Sequence, residues 1–223
     1  MNWRAVVRDG LSRIISKRPL TGFLVVLAAG MALWGGFNWS LEVTNTESFC
    51  ISCHEMETYV YAEYKTSSHY TNRTGVRASC PDCHVPREWI HKISRKVRAT
   101  NEAYHWLIGS IDSREKFEAK RGELAQSVWQ GMAETDSREC RNCHGIDFMA
   151  EERQGTTARQ MHSLAEQWRM TCIDCHKGVA HRLPRDFDEL ALMDDLHERM
   201  EKQQMDCGIC HAGMAKPPAG EEW

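Results

Sequence analysis

One short string, Cys-x-x-Cys-His, occurs five times and takes up every cysteine in the chain, and this limits what the chain can fold into more than any other feature. The copies are Cys50-Ile-Ser-Cys53-His54, Cys80-Pro-Asp-Cys83-His84, Cys140-Arg-Asn-Cys143-His144, Cys172-Ile-Asp-Cys175-His176 and Cys207-Gly-Ile-Cys210-His211. Two thiols three positions apart are spaced to form thioethers to the two vinyl groups on one haem edge. The adjacent histidine then reaches the iron as proximal axial ligand. Disulfide pairing would account for ten cysteines in an oxidising compartment but gives no reason for a histidine after each pair. Zinc knuckles rarely place a histidine ligand directly after the second cysteine. A thioredoxin-like motif occurs once, beside a βαβ pattern that is missing here. With 11 histidines in 223 residues, five of five pairs followed by His has a chance probability on the order of 10⁻⁷.

Five covalently bound haem c groups therefore set the architecture. Outside an N-terminal apolar stretch, about 180 residues remain, too few for a sizeable apolar core around each cofactor. The haems must supply much of the buried apolar surface. The expected fold is mainly α with extensive loops, with short helices wrapped around a stack of haems and little or no sheet. The net charge of −3 gives no reason to invoke nucleic acid.

Leu20 to Phe37 carries no charge and is mostly apolar, with Trp34 and Trp39 towards its far end, which is just long enough to cross a bilayer. Arg4, Arg8, Arg13, Lys17 and Arg18 precede it against a single acid, Asp9. The positive-inside rule then keeps residues 1–18 in the cytoplasm, makes 19–39 a transmembrane anchor in a bacterial inner membrane, and puts everything beyond in the periplasm. A cleaved signal peptide is the alternative. Its apolar core would be shorter than this one.

The first cysteines stand at 50, 80, 140, 172 and 207. Intervals of 30 and 32 residues on either side of one of 60 suggest two dihaem units (40–184) joined by a connector, and the interval of 35 adds a single-haem extension (185–223). The connector, about 90–136, reads as helical. Ile90, Ile93, Val97, Tyr104, Leu107 and Ile108 recur at three and four positions, and Asp112 or Ser113 is placed to cap a second stretch of good helix formers.

Six histidines lie outside the motifs. His69 precedes Cys80 by 11 positions, His162 precedes Cys172 by 10 and His197 precedes Cys207 by 10, which looks like a repeated unit of distal histidine followed by haem motif. His181 lies five residues after His176, too close to share its iron easily, and is expected to serve a neighbouring haem. Met200, Met205 and Met214 are rivals to His197 at the fifth haem. His91 and His105 lack such support and are read as surface or supporting residues. No histidine is available upstream of Cys50, and Met56, two positions after His54, is either packing or an axial ligand.

Several longer strings resemble the NapC/NirT family of quinol dehydrogenases, which includes the NrfH-type cytochromes. They are Phe49-Cys-Ile-Ser-Cys-His-Glu-Met56, the run from Ser68 through Cys-Pro-Asp-Cys-His-Val-Pro86, Ile111-Asp-Ser-Arg-Glu-Lys-Phe-Glu-Ala-Lys-Arg121, Glu139-Cys-Arg-Asn-Cys-His144 and Thr171-Cys-Ile-Asp-Cys-His-Lys-Gly-Val-Ala-His-Arg-Leu-Pro184. The resemblance covers about residues 1 to 184. It implies oxidation of quinol at the membrane surface and delivery of electrons to a periplasmic reductase or soluble cytochrome, with an oligomer or complex left open. It also implies that the first haem lies nearest the membrane with unusual, often Met-containing, ligation, so that His54 and Met56 are both candidates there. Relatives carry a basic and an acidic residue flanking the quinol pocket, and Lys96 and Glu102 occupy that place. Lys96 also belongs to a basic patch (His91, Lys92, Arg95, Lys96, Arg98) suited to anionic lipid headgroups.

The family domain ordinarily has four haems and ends soon after the His181 segment. Here Asp186 to Met200 reads as an acidic amphipathic helix leading to a fifth haem, an added exit port towards a partner. Flow in the reverse direction, as a quinone reductase fed by a periplasmic oxidation such as that of hydroxylamine, is the alternative. A reductase with its own substrate-binding haem would need an open iron away from the quinol side. One candidate distal ligand for each later haem argues against that.

Overall fold

The computed structural model describes residues 19–211, and among these every regular element is helical. The basic N-terminal stretch, Met214 and the end of the extension lie outside the described residues. The described chain falls into two compact units that divide between Ser52 and Cys53, inside the first haem motif.

The first unit is built on helix α1 (Pro19–Val43). Proline suits a first helical turn, where its missing N–H would have no partner anyway. The helix runs 25 residues, four beyond the expected span. At 1.5 Å per residue this is about 37 Å, more than the roughly 30 Å of a bilayer's hydrocarbon. Its large apolar side chains are exposed along its length, Leu20, Leu33 and Trp39 among them. Long, apolar and uncovered, α1 is the candidate membrane anchor. A short helix α2 (Glu47–Cys50) follows, started by Thr46, whose Oγ1 accepts from Phe49 N–H at 3.2 Å.

In the second unit a π-helical turn (Met56–Tyr61) passes straight into α3 (Ala62–Tyr64). Then come α4 (Cys80–His84), the long helices α5 (Trp89–Leu107) and α6 (Arg114–Glu134), and α7 (Arg138–Arg141). After two 3₁₀ turns follow α8 (Thr156–Gln167), α9 (Cys172–Cys175), α10 (Glu189–Lys202) and α11 (Gly208–His211).

The connector is thus two helices. Ser113 is the residue that caps the second, its Oγ accepting from Lys116 N–H at 3.3 Å. The apolar stripe of α5 faces outward: Ile90, Val97, Tyr104, Leu107 and Ile108 are exposed, whereas Lys92, Ile93, Lys96 and Ala99 are half-buried. The acidic helix expected in the extension is α10, capped by Asp188, whose carboxylate accepts from Ala191 N–H at 3.0 Å.

The unit's own apolar core is small: Tyr59, Tyr64, Phe117, Leu164, Ile173 and Leu196. Phe117 of α6 packs on Tyr59 with ring centroids 5.3 Å apart, a burial worth about 2 kcal/mol. Phe187 leads the extension back to α6, its ring 5.4 Å from that of Trp129, with Lys177 Nζ over both.

Candidate haem sites

Each of the last four Cys-x-x-Cys-His strings lies wholly or partly on a short helix. Local chemistry starts two of them. The Asp82 carboxylate accepts from the N–H and the hydroxyl of Ser79 (2.8 and 2.6 Å), and Asp174 does the same for Thr171 (2.7 and 2.9 Å). The second variable residue of motifs two and four is therefore a capping residue.

Four pairs of histidine rings lie close together, at interplanar angles from 23° to 80°. Ring centroids are 6.2 Å apart for His84 and His181, 6.1 Å for His69 and His144, 5.9 Å for His162 and His176, and 6.2 Å for His197 and His211. Two imidazole nitrogens, each about 2 Å from one metal ion, lie about 4 Å apart, and the ring centres about 1.1 Å behind each give roughly 6.2 Å. The four pairs have the separation of axial ligand pairs.

Hydrogen bonding prepares two of the rings. His197 Nδ1 donates to the Met193 carbonyl at 2.8 Å, and His162 Nδ1 donates to Gln154 Oε1 at 2.7 Å. Each bond fixes the tautomer that leaves Nε2 as a bare lone pair. His69 Nδ1 is buried without a hydrogen-bond partner, unlike the ring of an ordinary core histidine. Burial pushes His84 down to about 4, with His181 and Arg95 adding to the effect. Burial likewise lowers His176 and His181, so these rings are neutral, as ligation requires. Burial raises the Cys83 thiol to about 11, and it raises Cys140 and Cys175 as well. These donor sets fit covalently bound haem.

The pairing differs from the sequence repeat at one place. His162 and His197 face the motif that follows each of them, but His69 faces His144 of the third motif and not His84 of the second. Two contacts explain this. The Ala78 N–H donates to the His69 carbonyl at 3.2 Å, closing a tight loop before Cys80, and α4 packs on α7, so motifs two and three abut. His84 is faced instead by His181. The turn at Gly178 (φ 75°) sends the chain back from motif four to deliver it.

The motifs touch in sequence order. Cys83 feels Cys140, and Cys140 feels Cys172. Ser137, fully buried with φ 47°, accepts from Ile173 N–H at 3.0 Å and ties motif three to motif four. Helix α11 of motif five packs on α8, which carries His162.

The first motif is different. The ring beside His54 is that of Tyr59 at 6.3 Å, and Thr58 Oγ1 lies 3.4 Å from His54 Nδ1. Met56 begins the π-helical turn and is half-buried. Such turns recur at functional sites.

Lys96 and Glu102 are not brought together. Six positions on a helix place them about 120° apart around α5. Lys96 is half-buried, while the exposed Glu102 carboxylate pairs with Arg95 at 2.9 Å. Arg95 Nε also donates to the His84 carbonyl at 3.2 Å, a link that sequence reasoning placed only in a basic patch. His105 Nδ1 lies 3.0 Å from Ser110 Oγ at the end of α5, and His91 is exposed. Gln154, Glu63 and Arg121 are supporting residues that no motif spacing singles out.

A helical chain with Cys-x-x-Cys-His strings on short helices and facing imidazole pairs defines a multihaem c-type cytochrome. The model of the NapC/NirT cytochrome c family, N-terminal region, matches residues 15–186. The chain belongs to the NapC/NirT cytochrome c family. It is 54% identical over 180 residues to the denitrification system component NirT of Stutzerimonas stutzeri, covering 80% of this chain and 90% of that protein. It is 49% identical over 182 residues to the cytochrome c-type protein NapC of Escherichia coli K12, covering 82% and 87%. It is also 46% identical over 170 residues to a protein described as tetraheme cytochrome-c type in Allochromatium vinosum, covering 74% and 92%. No solved structure matches the chain. The family match ends at residue 186, so α10, α11 and the fifth motif lie beyond it.

Proposed function

We propose that this chain takes electrons from the membrane quinol pool and passes them through five haems to a periplasmic partner. That partner is a terminal reductase of nitrate, nitrite or N-/S-oxide type, or a soluble cytochrome. The observation that carries the reading is the run of four histidine pairs, in contact order from motif two to motif five, beside a first motif where, among the described residues, the ring next to His54 is that of Tyr59. The relatives support it by name, one a denitrification component and others NapC proteins.

In this reading the ten motif cysteines hold the haems by thioethers. His84 with His181, His144 with His69, His176 with His162 and His211 with His197 would hold the irons of the later haems, and His54 and Met56 would serve the first. The bound haem supplies one-electron exchange between ferric and ferrous iron. The protein supplies orientation: Gln154 and the Met193 carbonyl hold two rings in the ligating tautomer, and Ser137 keeps motifs three and four in register. Quinol oxidation releases two protons along with two electrons. Lys96 is assigned to a quinone oxygen and Glu102 to one proton, the second proton passing to water and the two electrons leaving one at a time. Residues 1–18 are cytoplasmic, α1 spans a bacterial inner membrane once, the haem domain is periplasmic, and the basic side of α5 meets lipid headgroups. Residues 40–184 form the tetrahaem domain and 185–223 the fifth-haem extension, an exit port.

The test is the full chain in native membranes, given a quinol and followed at the haem α-band, beside a form lacking residues 189–223. The full chain should be reduced by quinol and reoxidised by its partner. The truncated form, which keeps the Phe187–Trp129 contact, should still be reduced but pass electrons on slowly. Failure of quinol to reduce either form rejects the reading, and failure in the truncated form alone rejects the exit port.

A further inference from the structure

Among the described residues, one fully hydrogen-bonded polar cluster uses no haem-motif residue. Arg121 of α6 is buried and its five N–H donors all find acceptors. Nη1 donates to Glu63 Oε2 (3.0 Å) and to the Arg182 carbonyl (3.2 Å). Nη2 donates to Glu63 Oε1 (2.7 Å) and Glu118 Oε1 (3.0 Å), and Nε donates to Glu118 Oε2 (2.9 Å). The guanidinium also lies over the Phe117 ring, 4.9 Å from its centroid. Glu63 of α3 is buried too, and accepts a third bond, from the Arg182 N–H at 3.0 Å. Both backbone polar groups of Arg182 are therefore gripped by one ion pair.

Arg182 directly follows His181, the imidazole facing His84. His181 reaches its place on a loop that turns at Gly178, with no helix or strand of its own to set its position. A ligand on a loop needs an outside support to stay within bonding distance. A planar, bidentate guanidinium–carboxylate pair is the side-chain arrangement best able to give direction as well as attraction. The cluster also joins three distant stretches of chain, at residues 63, 118–121 and 182, which is more than stability at one contact requires.

We infer that Glu63, Arg121 and Glu118 form a clamp that positions His181 as the distal ligand of the second haem. This rests on the ligand assignment proposed above. Glu63 and Arg121 are positioning residues. They act through the Arg182 backbone and touch no cofactor. The Glu63 carboxylate lies close enough to act electrostatically on His181, and its negative charge would favour the ferric over the ferrous state of a haem held there.

The experiment uses full-length protein in detergent, with haem content by mass, electron paramagnetic resonance of the ferric form, carbon monoxide binding by the ferrous form and a redox titration. His181→Ala identifies the second haem as the one low-spin signal that is lost. Arg121→Gln should keep every haem attached, shift or weaken that same signal, leave the other signals in place and admit carbon monoxide at that haem. Glu63→Gln keeps the side-chain shape and should leave the haem low-spin while raising its potential alone, so the clamp stays testable even if Arg121→Gln does not fold. If His181→Ala changes a signal and Glu63→Gln moves no potential, the clamp is wrong. The same holds if a folded Arg121→Gln leaves that signal unaltered. If His181→Ala alters no haem, the ligand assignment itself has failed and the clamp falls with it.

Discussion

Replacing His197 with alanine tests the fifth haem where the sequence departs from its family. His197 sits on the exposed side of α10, and its one hydrogen bond goes to a carbonyl of its own helix, while the adjacent Leu196 is the residue that buries α10. Apart from a bond to iron, the imidazole's own contacts are those of an ordinary surface residue, worth no more than about 0.5 kcal/mol. The ligation effect should be large. With His197 and His211 centred 6.2 Å apart, removing one ring would leave an iron held there without a protein ligand on that side, with the volume of the lost ring free for a diatomic ligand or an added imidazole. Ferrous protein should then bind carbon monoxide at one of its five motifs, about one-fifth of total haem. Free imidazole should compete for that site and restore the low-spin spectrum. Met200 and Met205 stand half-buried after His197. If either took over, a sulfur-to-iron charge-transfer band would replace carbon monoxide binding, and the double variants His197→Ala/Met200→Leu and His197→Ala/Met205→Leu would identify which. Unchanged low-spin haem in all of these variants would refute the assignment of His197.

Further predictions follow from other contacts. Ser137→Ala leaves the buried Ile173 N–H without its acceptor and should cost about 1–3 kcal/mol in guanidinium unfolding; a change under about 0.5 kcal/mol would show that the link between motifs three and four carries little. Hydrogen bonding from Arg121, against a smaller burial penalty, holds the Glu118 carboxyl below its ordinary value. A lowered folded value adds stability that is complete above the unfolded pKa of about 4.3 and is lost as pH falls through the folded value. Glu118→Gln should therefore flatten the acid limb of a stability-against-pH curve below about pH 5, and an unaltered limb would place that dependence elsewhere. Glu102→Gln and Lys96→Leu should slow quinol-dependent reduction by about 10²-fold while dithionite still reduces every haem at the wild-type rate. Equal slowing with both reductants would point to general damage instead of a quinol site.

Some of this was readable without a structure because the chemistry is local. Thioether spacing occupies five consecutive residues, so the motif itself names the attachment points, and an uncharged stretch of 18 residues carries its own signal for a span. The capping aspartates Asp82 and Asp174 lie inside their motifs, and Ser113 stands at the start of its helix; each acts within three positions of itself. Distal ligands are different because the partner ring arrives from elsewhere in the chain. Offsets of 10 and 11 positions made three histidines look equivalent. The loop closed by Ala78 and the packing of α4 on α7 turn His69 to His144, 75 positions away.

The apolar stripe of α5 makes the same point from the other side. Its period correctly marks a helix, but period alone cannot say whether the stripe faces a core or the outside, and here it faces outward. Arg121 and Arg182 lie in strings shared with the family, but nothing in the sequence joins them to Glu63, because a carboxylate and a guanidinium 58 positions apart look like any two surface charges until folding buries both together. The sequence alone marked which cysteines are spaced to hold haem and that one stretch can anchor the chain, since these depend on neighbours along the backbone. Which histidines face each other, and what holds them there, depended on long-range packing and was decided only by the tertiary structure.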